Sequence, residues 1–175
     1  LPELKLSANI DRVITRDGQS LNAVKAELLF SGDRWEAMNV DGLLAGDKHL
    51  AVRIDRDDSG RSFFMGSDDG GELLRALDIF DDASGGTLTV DADFEPTKVN
   101  GPITGELKIK NFKVVNAPLL ARILSVASLI GVFDLLKGEG LPFTELVAPF
   151  VKRGDVLKIN DARAYGPAIG FTFKG

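Results

Sequence analysis

Apolar and polar residues alternate along this chain with a period of two, in short runs that each end in turn chemistry. Leu4, Leu6, Ala8 and Ile10 fall on one face of an extended segment and Lys5, Ser7 and Asn9 on the other, the pattern of a strand with one buried and one wet face. Arg16-Asp17-Gly18, Ser31-Gly32-Asp33, Ala45-Gly46-Asp47 and Asp57-Asp58-Ser59-Gly60 separate that run from Leu21–Phe30, Arg34–Leu44, Lys48–Asp55 and Arg61–Gly66. Extended runs joined by such turns predict an antiparallel hairpin meander over 1–66. The alternation returns in Leu88, Val90, Ala92 and Phe94, in Leu107 and Ile109, and in Ile169, Phe171 and Phe173. Sheet is therefore expected at both ends of the chain.

Two helices are expected to interrupt it. Asp69 can cap the first, with Glu72 three residues later and Leu73, Leu74 and Leu77 as its buried stripe. The second is nearly all apolar from Ala117 to Leu136, between an Asn116 cap with Pro118 in the first turn and a Lys137-Gly138 stop. Arg122, Asp134 and Gly131 argue against a membrane span, since a charge near a bilayer centre costs about 3 kcal/mol on insertion scales. Its broad apolar arc either covers the end or open face of a sheet or touches a membrane surface or ligand. The expected fold is mainly β with two helices (α+β): an antiparallel, curved, groove-like sheet in one domain of 175 residues, with an apolar helix near 117–136.

Charge and composition exclude several functions. A net charge of −5 with no cluster of Lys and Arg in the sequence argues against nucleic acid as a partner. The chain has no Cys, so disulfides and thiolate chemistry are absent. Asp55-Arg56-Asp57-Asp58 reads as a solvated loop. Leu1-Pro2-Glu3 is neither a basic leader nor a signal peptide, and the chain is expected to be a piece of a longer one.

The residues offer no recognisable catalytic constellation. His49 is the single histidine and lies in a hairpin-like stretch, far from any nucleophile-elbow sequence. The acidic pairs Asp57-Asp58, Asp68-Asp69 and Asp81-Asp82 lack the alternating ligand spacing of a calcium loop and read as turns and caps. Trp35, the one tryptophan, alternates within a strand as a core or interface residue. No cofactor, no metal and no enzymatic activity are expected.

A set of runs in fixed order carries a resemblance. They are Ser67-Asp68-Asp69-Gly70-Gly71-Glu72-Leu73-Leu74, Gly105-Glu106-Leu107-Lys108-Ile109, Asn111-Phe112-Lys113-Val114-Val115-Asn116-Ala117-Pro118, Gly138-Glu139-Gly140-Leu141-Pro142-Phe143 and Asp161-Ala162-Arg163-Ala164-Tyr165-Gly166-Pro167. From Ser67 to Gly175 the chain resembles the C-terminal region of the AsmA-like family, the YhdP/TamB/AsmA group of periplasmic bridge-like lipid-transfer proteins. The resemblance implies a periplasmic domain of an inner-membrane-anchored Gram-negative envelope protein. Its apolar β-groove would guide phospholipid acyl chains between the inner and outer membranes. The family has no catalytic residues to transfer.

An acyl methylene in water costs about 0.8 kcal/mol, so such a protein needs a continuous apolar surface more than any single contact. The groove candidates are Leu88, Val90, Phe94, Leu107, Ile109, Ile169, Phe171 and Phe173, for each of which plain core packing is the competing role. Leu119, Leu120, Ile123, Leu124, Ile130 and Phe133 of the second helix are the candidates for membrane or partner contact. Phospholipid or another acyl lipid is the expected partner, together with a membrane surface or other envelope proteins. Two other readings compete: an assembly module for outer-membrane proteins that works by strand addition, and a closed barrel holding one small apolar molecule.

Overall fold

The computed structural model describes residues 3–15, 18–32, 34–58, 60–96, 101–115, 140–167 and 169–175. Five strands come first: β1 (Leu4–Ile14), β2 (Ser20–Ser31), β3 (Arg34–Leu44), β4 (Lys48–Asp57) and β5 (Gly60–Ser67). Helix α1 (Gly70–Ala76) follows, then β6 (Ala83–Ser84), β7 (Thr87–Phe94), β8 (Ile103–Val114), β9 (Leu141–Arg153), β10 (Val156–Ile159), β11 (Ala162–Tyr165) and β12 (Gly170–Phe173). All twelve strands belong to one antiparallel sheet in the order β1-β2-β3-β4-β5-β7-β8-β9-β11-β12, with β10 beside β9 and β6 beside β8. The sheet does not close on itself: among the described residues β1 pairs only with β2, and β12 only with β11. The closed-barrel reading is thereby excluded.

The register puts the apolar residues of successive strands side by side. Leu6 is opposite Leu28, Leu28 opposite Met38, Met38 opposite Ile54 and Ile54 opposite Phe63. The row below runs from Val52 through Met65, Val90 and Leu107 to Ala148. Because side chains alternate across a strand, this pairing concentrates one apolar face over the sheet. The reverse face carries Lys25, Asp41, Arg53, Asp91, Lys108 and Glu145. There Arg53 pairs with Asp41, Lys108 with Glu106, and the Tyr165 hydroxyl donates to Glu145 at 2.9 Å. The hydrogen bond to Glu145 raises the Tyr165 phenol above its ordinary value, and the one to Glu106 raises Lys108.

Helix α1 covers one end of the apolar face. Asp69 caps it, its carboxylate accepting from the Glu72 N–H at 2.9 Å. Leu73 and Leu74 are buried against Leu44, Leu88, Ile109 and Val114. A close approach of backbones makes this possible: a Cβ on Gly71 would lie 2.7 Å from the Ala83 carbonyl oxygen. Leu77 differs from expectation, because the helix ends at Ala76 and leaves Leu77 at the C-cap, 46% exposed. Asp69→Ala should lower stability by about 1 kcal/mol, the usual value of an N-cap. Thermal unfolding measures it, and Asp69→Asn should restore most of the loss.

Further boundaries also differ. Asp55, Arg56 and Asp57 belong to β4 as cross-paired residues and only Asp58 lies in the turn, so the run is solvated as expected but mostly strand. Strand β9, interrupted in sequence by Pro142 and Pro149, runs unbroken for 13 residues. Its outer neighbour changes along its length, from β11 at Glu145–Val147 to β10 at Phe150–Arg153. Pro149 sits at that change and its carbonyl accepts from Asn160 N–H, so the side on which its own N–H would point has no ladder to serve. The second expected helix, 117–136, lies outside the described residues.

Candidate functional site

Beyond α1 the apolar face holds a cavity of about 590 Å³, within the size range of sites for small organic ligands. Among the described residues, every side chain that lines it is apolar. Strands β7 and β8 contribute Val90, Leu107, Ile109, Phe112 and Val114 to its floor. Strand β9 adds Phe143, Leu146, Ala148 and Phe150. Leu74, Ile79 and Phe80 of α1 and the turn after it stand at one end, with Leu157, Ile159, Phe171 and Phe173 at the side. The deeper members, such as Val90, Ile109 and Phe143, are buried, whereas Leu157 and Phe173 are 55% and 39% exposed. The cavity therefore grades from core packing into a surface that solvent reaches.

Aromatic rings give its wall a defined shape. Phe112 and Phe143 stack with centroids 5.2 Å apart, Phe171 meets Phe143 edge-on at 5.6 Å, and Phe173 lies 6.1 Å from Phe171. Phe112 joins this row because Asn111 adopts a left-handed conformation, φ 55°. The chain turns there, and Phe112 shares a face with Ile109 three positions earlier.

Of the groove candidates, Val90, Leu107, Ile109, Phe171 and Phe173 line the cavity. Leu88 is fully buried beneath α1, facing Ser67 and Ile109 across the sheet. Ile169 is half-buried and packs against the core without lining the cavity. Phe94 lies at the opposite end of β7, in a separate cleft, with the Arg61 guanidinium 4.4 Å from its ring centroid. Leu119, Leu120, Ile123, Leu124, Ile130 and Phe133 lie outside the described residues. Sequence reasoning missed Phe112, Phe143, Leu146, Ala148 and Phe150, although the Asn111-Phe112 step and the apolar residues around Pro149 were visible.

The apolar face continues past the cavity into β1–β3, where Leu4, Leu6, Ile10 and Trp35 are each more than 40% exposed. Trp35 packs edge-on against Phe30 at 5.1 Å. His49 is exposed at the head of β4, and its backbone N–H meets Asp68. Among the described residues no group of three or more His, Asp or Glu side chains is placed to hold a metal ion. No described helix is long and apolar enough to cross a membrane. No family model matches the chain, and neither a curated protein nor a solved structure shows significant similarity to it.

Proposed function

We propose that this chain is a non-catalytic lipid-handling domain of the AsmA-like type, which holds phospholipid acyl chains in a groove on the apolar face of its sheet. The observation that carries the reading is the cavity whose described lining is apolar throughout, set in a face that stays apolar and exposed beyond it. In this reading the domain works in the periplasm as part of an inner-membrane-anchored protein, and the groove guides lipid between the inner and outer membranes. The ordered runs from Ser67 onward support the same assignment.

Magnitudes favour transfer over storage. Ten methylenes removed from water gain about 8 kcal/mol, while association costs about 4 kcal/mol or more in lost freedom. The difference corresponds to a dissociation constant near millimolar, weak enough for a chain to slide on and be released. Among the described residues the lining has no polar groups to read a particular lipid, so within the cavity shape selects the acyl chain.

A second reading, assembly of outer-membrane proteins, draws on β1. This strand offers 11 residues at the sheet edge, with no described partner on its outer side. Photo-crosslinking in the intact envelope separates the two. A photoreactive residue at position 146 should yield adducts with phospholipid. Adducts with nascent barrel proteins, strongest from β1, would instead support assembly and displace the lipid reading.

A further inference from the structure

At the end of the apolar face away from α1, the sheet carries a second cleft of about 400 Å³. Arg34, Arg61 and Lys152 line it beside Trp35, Phe94 and Ile103, and among the described residues Asp155 is the one acidic side chain in the lining. Among the described residues the lining sets three cations against one anion, with the Glu36 carboxylate behind Arg34, so positive charge predominates there in a chain whose net charge is −5. That local reversal of sign marks the cleft as a place for an anion.

The cationic groups are held in place by the fold. Arg34 Nε donates to Glu36 at 2.6 Å, and Arg56 donates to the other oxygen of the same carboxylate. The hydrogen bond from Arg34, with Arg56 adding to it, keeps Glu36 below the usual carboxylate range despite its partial burial. Arg61 donates to the Trp35 carbonyl at 2.7 Å while its guanidinium lies over Phe94. Lys152 Nζ donates to the Gly154 carbonyl. An arginine has five N–H donors in a planar fork, and Glu36 engages one nitrogen of Arg34, leaving donors suited to a phosphate or carboxylate.

The cleft is in line with the apolar cavity. On β9, Leu146, Ala148 and Phe150 line the cavity and Lys152, the next residue on that face, lines the cleft. On β8 the same relation joins Leu107 to Ile103. The six residue steps from Lys152 to Leu146 span about 20 Å, enough for the ~15 Å hydrocarbon depth of one bilayer leaflet. We propose that the cleft takes the anionic headgroup of an amphiphile whose acyl chain lies in the cavity, fixing the direction in which lipid sits on the sheet. This rests on the acyl-chain reading above and adds to it the substrate class, a chain ending in phosphate or carboxylate.

Trp35 is the only tryptophan and lines the cleft, so its emission reports occupancy. The full chain is titrated at low salt with lysophosphatidate, palmitate, hexadecanol and inorganic phosphate. The two charged amphiphiles should shift Trp35 emission and bind about tenfold more tightly than hexadecanol. Arg34→Gln with Lys152→Gln should remove that advantage and leave hexadecanol binding unchanged, while the unfolding midpoint falls modestly through loss of the Arg34–Glu36 pair. Equal affinity for hexadecanol and lysophosphatidate, or undiminished lysophosphatidate binding by the double variant, would overturn the headgroup site while leaving the acyl-chain reading intact. Inorganic phosphate that binds as tightly as lysophosphatidate would also overturn it, in favour of a free-anion site. Failure of every chain-bearing ligand to bind would bring down the acyl-chain reading itself.

Discussion

Gly105→Val is expected to lower folding stability by about 3 kcal/mol or more and to shift the urea midpoint by at least about 1 M. Gly105 sits in the middle of β8, paired with Ala92 on β7 and Phe150 on β9. A Cβ there would fall 2.5 Å from the Ala92 Cβ and against the Asp91 carbonyl oxygen. Neither neighbour is a flexible tip that can swing aside, so β7 and β8 must separate to admit the side chain. The contact lies between the apolar cavity and the cationic cleft, and spreading the strands would spoil both. Gly105→Ala should show a smaller loss of the same sign. A midpoint unchanged by valine would mean that the two strands are less tightly apposed than described.

The second large effect concerns ligand and not stability. Leu146→Asp together with Phe150→Asp should reduce binding of an acyl chain at least a hundredfold, measured by displacement of a fluorescent fatty acid. Both side chains line the cavity floor and are only partly buried. The chain can tolerate the change, but a ligand methylene would have to strip water from a carboxylate, which costs several kcal/mol. Circular dichroism should keep its strand signature. The matched pair Lys25→Asp with Lys108→Asp on the reverse face should leave binding unaltered. Equal losses from the two pairs would deny any special role to the apolar face.

Much of the fold could be read from the chain because alternation and turn residues agree. β3 has the boundaries that Arg34–Leu44 predict, between two Gly-containing turns, and β1 begins at Leu4 where the alternation does. β9 resisted this reading because two prolines break its alternation, and only the change of neighbour at Pro149 explains how a paired strand accommodates one. Leu88 and Val90 illustrate the limit for the site. They are identical in pattern and lie on one face of β7, yet one is sealed beneath α1 and the other lines the cavity. Period-two alternation names a face, and it cannot say which part of that face another element covers. The cationic cleft was still harder to see, since Arg34, Arg61 and Lys152 come from three strands distant in sequence and only the register brings them together.

Photoaffinity labelling of the purified chain with a palmitate carrying a diazirine along its tail, followed by peptide mapping, tests most directly whether the apolar face takes up lipid. Adducts are expected on β8 and β9, at Leu107, Phe112, Phe143, Leu146 and Phe150, and competition with unlabelled palmitate should remove them. Adducts spread over Lys25, Arg53 and Glu145 of the reverse face, or none that palmitate displaces, would contradict the account.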